Sequence, residues 1–263
     1  MFGVVPKSIW NKSNPADEHN LCTWAMRCLL IEDQHRLILI DNGIGNKQSQ
    51  KFFSYYFLHG NESLLSSLHN LSFTPEDITD NLLTHLHFDH CGGGFKRSDH
   101  EDSKIIPTFP KAKYWVHEDH WKWAIQPNQR EKASFLKENL LPMKDSGQLY
   151  FLPETHSPFD DFELLFVDGH TRKQTIPHIK YKGKTIVFVA DLIPSVGHIP
   201  LPYIMSYDTQ PLLTLEEKSR FLNVAAEEEF VLFFEHDPVN ECCTVQKTEA
   251  GIRVKDIFLL KDI

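Results

Sequence analysis

Short apolar segments that end in histidine or aspartate recur along this chain, and they constrain its fold more than any other feature. The transitions are Thr84-His85, Asp168-Gly169-His170, Ala190-Asp191 and Glu235-His236. Apolar strands of this kind fit sheets that pack on each other, with the helices outside. Strand ends that meet at one edge of a sheet pair can gather polar side chains into one pocket. The sequence therefore predicts an α/β chain with a polar site at a sheet edge.

The hexapeptide His85-Leu86-His87-Phe88-Asp89-His90 carries the strongest chemical signal, and Gly92-Gly93-Gly94 follows it closely. In an extended segment the first two histidines project from the same side, and the chain must then turn to direct the last two residues elsewhere. Imidazole and carboxylate ligands suit borderline divalent metals. Composition alone gives about 0.003 expected matches to this pattern, so we favour a metal site over a chance cluster of surface histidines.

Three further residues at strand ends extend this candidate metal site. Each has an ordinary structural explanation when it is taken singly, such as a turn histidine or a capping aspartate. Because the hexapeptide is also present, we add these three residues to one list of candidate ligands. The sequence pattern does not show which metal ion each of them would bind. The list is His85, His87, Asp89, His90, His170, Asp191 and His236. Asp41 is predicted to brace the loop of the histidines, with an ordinary turn aspartate as the alternative.

No internal repeat, low-complexity tract or long linker divides the 263 residues, so we predict a single domain over 1–263. Segments 25–31 and 36–41 predict a hairpin, 46–58 a helix and 82–84 a buried strand. Thr214 with Glu217 predicts a capping box ahead of a helix over 215–229. The C-terminal residues predict a closing hairpin.

Composition argues against several classes of function. The formal net charge is -9 and no basic stripe is visible, so we expect no nucleic-acid partner. The five cysteines form no C-x-x-C pair and predict neither a disulfide framework nor a cysteine zinc site. The N-terminus lacks a basic start with an apolar run, and no apolar stretch is long enough to span a bilayer. We therefore expect a cytoplasmic protein with no membrane partner.

Four motifs in a fixed order give the chain a family resemblance. They are THLHFDHCGG (84–93), DGHT (168–171), VADL (189–192) and FEHDP (234–238). This order and spacing resemble the metallo-β-lactamase superfamily from about residue 25 to about residue 240. The N-terminal FGVVPKSIW and the region after Asp191 resemble the lactonase and organophosphate-hydrolase branch.

The resemblance implies an αββα sandwich, in which two mixed β-sheets pack face to face with helices outside. It also implies two divalent metal ions per chain. His85, His87 and His170 would hold one ion, Asp89, His90 and His236 would hold the other, and Asp191 would bridge them. Zinc is the expected metal, and Mn, Fe and Co accept the same ligands. Because dimers are frequent in this branch, the resemblance also implies a homodimer.

The resulting hypothesis is a dinuclear hydrolase in which a hydroxide shared by the metals attacks a small ester, lactone or phosphotriester. Asp89 and Asp191 are the predicted catalytic residues, with Asp89 orienting the nucleophile. Lactonases of this superfamily have a tyrosine three residues after the bridging aspartate, where this chain has Pro194. Side chains of the following segment, 193–208, are predicted to contact substrate instead, with an ordinary packed loop as the alternative. The candidates are His198, Tyr203 and Tyr207.

Two other activities of the same fold are alternatives. A mononuclear iron enzyme would oxidise thiols or persulfides, and a glyoxalase II-like enzyme would hydrolyse thioesters. A binding module without catalysis is disfavoured, because all of the expected ligands are present. The motif VHEDHW, with His117 and His120, superficially resembles a metal site. We assign it a structural role, because the hexapeptide and the three later residues already supply a dinuclear site.

Overall fold

The computed structural model of the chain describes residues 1–99, 101 and 104–263. The chain divides into two units, and we name each by its part of the sequence. The central unit is Cys28–Leu152, and the terminal unit combines Met1–Arg27 with Pro153–Ile263. The expectation of a single domain over 1–263 stays a prediction.

The elements are numbered in chain order. The helices are α1 (Lys7–Trp10), α2 (Gln50–Phe53), α3 (Leu64–Asn70), α4 (Phe88–Cys91), α5 (Glu118–Ile125), α6 (Lys137–Asp145) and α7 (Pro211–Glu227). The strands are β1 (Leu29–Asp33), β2 (Arg36–Ile40), β3 (Asp80–Leu82), β4 (Phe95–Arg97), β5 (Ile105–Pro107), β6 (Lys113–Val116), β7 (Leu149–Phe151), β8 (Phe162–Val167), β9 (Gln174–Tyr181), β10 (Lys184–Phe188), β11 (Val231–Phe233), β12 (Cys242–Thr248) and β13 (Gly251–Phe258). Short 3-10 segments lie at Pro75–Asp77, Gly92–Gly94, Ala190–Leu192, Val196–His198 and Leu260–Asp262.

The sheet of the central unit has the strand order β1-β2-β3-β6-β7. β1 and β2 form the predicted hairpin, with Leu30 opposite Leu39, and the remaining pairs are parallel. Ile38 and Ile40 on one face of β2 and Leu39 on the other are all buried, which agrees with an apolar strand covered on both faces. Because β2 and β3 run parallel, their carboxyl ends meet at the same edge of this sheet.

The core of the central unit joins this sheet to its helices. Leu39 and Tyr114 of the sheet cluster with Leu68 of α3, Trp121 of α5 and Leu140 of α6. These side chains are large and almost fully buried, so their removal from water stabilises the unit and fixes where β2 and β3 end.

The sheet of the terminal unit has the strand order β13-β12-β11-β10-β9-β8. Only the pair β10 and β11 is parallel among its described pairs, so this sheet is also mixed. The helix α7 packs on β12 and β13, and it buries Phe221, Leu222 and Ala225. The predicted C-terminal hairpin is confirmed as β12 and β13.

Three local predictions are wrong in their bounds. The helix expected over 46–58 is limited to α2, since Ser49 caps its start and Phe57 lies in the left-handed region at φ 50°. The strand expected over 82–84 ends at Leu82, and Thr84 is held by a side chain instead. The capping box of Thr214 and Glu217 does not form, because α7 begins one turn earlier at Pro211.

Within the described residues, none of the helices combines the length and the apolar character needed to cross a bilayer.

The substitution Ile40→Ala tests the contribution of the buried strand that leads to Asp41. Ile40 is completely buried, so we expect a loss of about 2–5 kcal/mol in the free energy of unfolding, measured in urea. Leu212→Ala is the control, because Leu212 is 81% exposed on α7 and should cost less than about 0.5 kcal/mol. Equal losses in the two variants would contradict this picture of the core.

Candidate metal centre

The carboxyl end of β3 leads directly into the histidine hexapeptide. Nε2 of His85 lies 3.1 Å from Nδ1 of His87, so the two rings converge through these nitrogens. The chain then turns through α4, as the sequence predicts, and this turn carries Asp89 and His90. The Asp89 carboxylate lies 3.8 Å from Nε2 of His90. We call Asp41, Thr84, His85, His87, Asp89 and His90 the histidine-loop cluster.

Asp41 holds this loop through its buried carboxylate. It lies just after β2 with φ 55°, and its side chain is completely buried. Its two oxygens accept hydrogen bonds from the amide of Thr84 at 2.7 Å and the hydroxyl of Thr84 at 2.6 Å. It also contacts Nδ1 of His90 at 3.0 Å. The prediction that Asp41 braces the loop is therefore confirmed.

Residues around α5 hold the other side of the loop. Nε2 of His120 accepts a hydrogen bond from the amide of Leu86 at 2.9 Å. An oxygen of the buried Glu131 lies 3.4 Å from Nε2 of His87, and its other oxygen accepts from the indole of Trp123 at 2.7 Å. The VHEDHW motif thus has a structural role, because His120 fixes the backbone between two candidate ligands.

The glycines after the hexapeptide allow two backbones to approach closely. A Cβ on Gly92 would lie 2.2 Å from the carbonyl oxygen of Ile44, and one on Gly93 would lie 2.1 Å from that of Asn42. The buried ammonium of Lys47 donates to the carbonyl of Gly92. Burial lowers the pKa of Lys47 to about 8. The glycines are therefore required by packing against the segment that follows β2.

The terminal unit carries the other predicted ligands, which we call the Asp191 cluster: His170, Asp191, Asp208 and His236. One oxygen of Asp191 lies 3.1 Å from Nε2 of His170, and the other lies 3.0 Å from Nε2 of His236. Nδ1 of His170 lies 2.9 Å from the buried carboxylate of Asp208. Burial lowers the pKa of His170, but Asp191 and Asp208 outweigh this effect and raise it to about 10. The carboxylate of Asp191 thus joins two imidazoles.

Glu217 supports the turn that carries His170. Its two carboxylate oxygens accept hydrogen bonds from the amides of Asp168 at 2.8 Å and Gly169 at 2.9 Å. A Cβ on Gly169 would lie 2.5 Å from the backbone nitrogen of Thr214, so the turn lies directly against α7. Glu217 therefore fixes the end of β8 rather than capping its own helix.

The donor set fits divalent metal ions, because each candidate imidazole has one nitrogen facing a structural partner. These contacts are His85 Nδ1 with Thr84 Oγ1 (3.1 Å), His87 Nε2 with Glu131, His90 Nδ1 with Asp41, His170 Nδ1 with Asp208, and His236 Nδ1 with the carbonyl of Ala25 (2.8 Å). A ring N–H directed at an outer partner leaves the opposite lone pair for a metal. For His85, His87, His170 and His236, that opposite nitrogen faces another candidate ligand.

The three predicted substrate contacts lie in different surroundings. His198 is completely buried, with Nδ1 at 2.8 Å from the Ser195 hydroxyl and its ring stacked on Phe2 at 4.1 Å. Burial, followed by the charge of Lys218, lowers the pKa of His198 to about 3. Tyr203 meets Phe2 edge to face at 6.2 Å, and Tyr207 is 57% exposed. Their contact with substrate stays a prediction.

Sequence reasoning missed Asp208, Glu131 and Glu217 as partners of the predicted ligands and their turns. Each lies far along the chain from the group that it holds, and no local motif marks it. The only available signal was that a second carboxylate is expected behind a metal-binding histidine.

The chain belongs to the metallo-beta-lactamase superfamily, whose family model matches residues 27–236. An N-acyl homoserine lactonase of Bacillus cereus is 25% identical over 240 residues, which cover 88% of this chain and 87% of that protein. The resemblance to this superfamily and its lactonase branch is therefore confirmed. The prediction that the chain is an enzyme, a metal-dependent hydrolase, is confirmed as well.

Solved structures show the same fold. The crystal structure of a probable metal-dependent hydrolase from Staphylococcus aureus is 28% identical, with a TM-score of 0.88 over 100% of this chain and 92% of that chain. The dizinc quorum-quenching lactonase AidC is 23% identical, with a TM-score of 0.77 over 95% of this chain and 85% of that chain. The predicted α/β class and metallo-β-lactamase fold, with mixed sheets and helices, are confirmed.

The substitution Glu217→Ala tests whether this carboxylate holds the turn before His170. Two backbone amides lose their acceptor, so we expect the free energy of unfolding to fall by about 2 kcal/mol or more in urea titrations. Glu216→Ala is the matched control, because Glu216 lies on the solvent side of the same helix and pairs only loosely with Arg220 at 3.5 Å. A variant as stable as this control would refute the assignment.

Proposed function

We propose that this protein is a dinuclear, zinc-dependent hydrolase of small lactones. The observation that carries the proposal is the position of Asp191, whose two oxygens face His170 and His236 separately at 3.1 and 3.0 Å. A carboxylate with one oxygen toward each of two imidazoles is suited to bridge two cations. Membership of the superfamily and the similarity to the lactonase of Bacillus cereus support the reaction class.

The proposed ligand sets follow the motif order of the superfamily. His85, His87 and His170 would hold one zinc ion, Asp89, His90 and His236 would hold the other, and Asp191 would be shared by the two. The fixed ring orientations in both clusters support this assignment, because they leave a nitrogen lone pair on each histidine. Imidazole and carboxylate donors without thiolate suit zinc, and they also accept Mn, Fe or Co.

Bound metals of this kind supply a water of lowered pKa and polarise the substrate carbonyl. The residues of the chain contribute orientation and proton handling. The side chain of Asp89 is 30% exposed, so its carboxylate can meet both solvent and substrate. It orients the attacking water and accepts a proton from it. Asp191 is almost fully buried, and it keeps His170 and His236 in a fixed relation during turnover.

Lactonases of the superfamily have a tyrosine three residues after the bridging aspartate, and this chain has Pro194 at that position. A different side chain must therefore contact the substrate oxygen. We propose that His198, Tyr203 or Tyr207, which all lie in the segment 193–208, supplies this contact. Tyr207 is 57% exposed, whereas His198 is completely buried, with Nδ1 held by Ser195 and its ring stacked on Phe2. A phenol or a neutral imidazole can donate a hydrogen bond to a carbonyl.

Metal content tests the dinuclear part of the proposal. Purified protein loaded with zinc should carry two metal ions per chain by elemental analysis, and His170→Ala should lose at least one of them. His69→Ala is the control, because His69 is exposed on α3 and belongs to neither cluster. A single bound iron accompanied by oxygen consumption with persulfides would replace this proposal with the oxidoreductase alternative.

Turnover tests the substrate class. The zinc-loaded protein should open N-acyl lactones faster than it hydrolyses aryl esters, phosphotriesters or glutathione thioesters at equal concentration. Asp89→Asn should lower kcat by about 10²–10⁴-fold, as expected for loss of a proton acceptor. Preference for the thioester would favour the glyoxalase II-like alternative, and inactivity of the two-metal protein on the whole panel would defeat the proposed hydrolase.

A further inference from the structure

Lys218 is a buried cation that the proposed reaction does not use. It lies on α7 and its side chain is completely buried. Its ammonium donates three hydrogen bonds to backbone carbonyls, at 2.9 Å to Pro200, 3.3 Å to Leu201 and 2.9 Å to Tyr203. An ammonium has three donors, so this group is fully satisfied by one short stretch of backbone.

Burial of this cation is costly, because the ammonium loses its hydration. The same burial lowers the pKa of Lys218 to about 7, and the charge of Asp208 acts in the opposite direction. A methionine could fill the same space without this cost. The three hydrogen bonds to backbone carbonyls therefore explain a lysine at this position better than packing does.

The segment that Lys218 binds is only partly held by its own hydrogen bonds, in which the Tyr203 amide donates to the Pro200 carbonyl at 2.9 Å and the Ile204 amide donates to the Pro202 carbonyl at 3.1 Å. We call residues 198–208 the proline segment, because Pro200 and Pro202 lie within it. Proline lacks an N–H, so this stretch cannot pair as a regular strand. Lys218 adds a donor to three of its carbonyls, those of Pro200, Leu201 and Tyr203. Lys218 supplies three donors at one point and so determines the path of the backbone.

The far end of the proline segment contacts His170. Asp208 faces Nδ1 of His170 at 2.9 Å, and the amide of the next residue, Thr209, donates to the carbonyl of His170 at 3.1 Å. Glu217, the neighbour of Lys218 on α7, binds the two amides just before His170. Adjacent residues of one helix thus hold the turn of His170 and the segment that orients its ring.

We propose that Lys218 is a positioning residue for the metal site: it fixes the proline segment, and through Asp208 it sets the ring of His170. The same segment carries His198, Tyr203 and Tyr207, so its order also governs substrate binding. Only the expected effect on lactone turnover rests on the proposed function. The expected effect on the order of the proline segment is independent of metal and of substrate.

The test is Lys218→Met, which keeps the volume and removes the donors. In metal-free protein, hydrogen exchange at the amide of Thr209 should be at least about 10-fold faster than in the wild type. Zinc affinity in competition with a chelator should fall by about 10-fold, the size of outer-shell effects on metal sites. With a lactone substrate, KM should rise more than kcat falls.

Phe221→Leu is the matched control. Phe221 is a buried neighbour on α7 whose ring lies edge to face with His178 at 6.0 Å and offers no hydrogen-bond donor. It should lower the melting temperature without changing Thr209 exchange or zinc affinity. If Lys218→Met does not fold, Lys218→Gln, which retains two donors, takes its place in the comparison.

The proposal is overturned if Thr209 exchange and zinc affinity in the Lys218 variant match those of Phe221→Leu, since the lysine would then only support the fold. If the proposed function is wrong, a different measurement shows it. In that case the wild type with two zinc ions would open no lactone, while the exchange and affinity measurements would still decide the role of Lys218.

Discussion

Each candidate histidine ligand has a structural partner at the ring nitrogen that does not face the other ligands. An imidazole can rotate and can carry its proton on either nitrogen, so it binds a cation well only when an outer partner fixes both choices. In the central unit Asp41 is the main outer partner, because its buried carboxylate contacts both Thr84 and His90. The carboxyl ends of β2 and β3 meet because the strands are parallel, and this brings Asp41 to the loop.

In the terminal unit, the helix α7 supplies the side chains that hold the backbone around His170. Glu217 and Lys218 are adjacent on α7, and they carry opposite charges. The carboxylate accepts from backbone amides, and the ammonium donates to backbone carbonyls. Irregular backbone near His170 therefore finds both kinds of partner on a single rigid element. This explains how loops without regular hydrogen bonding can hold a ring within the tolerance that a metal site requires.

Patterns with a short period were predicted well from the sequence. The hairpin of β1 and β2 and the C-terminal hairpin are confirmed, because alternating or continuous apolar residues define strands locally. The capping box at Thr214 was wrong for an equally local reason. Pro211 begins the helix one turn earlier, and the carboxylate of Glu217 is then free to bind the turn before His170.

The sequence by itself determined the family, the fold class and the pool of candidate ligands, because ligand chemistry and strand pattern are both encoded over a few residues. Only the tertiary structure decided which side chain orients each ring. Glu131 lies 44 residues after His87, and Asp208 lies 38 residues after His170. A lone carboxylate has no local signature, and its role depends on the folded path of the chain that brings it to an imidazole.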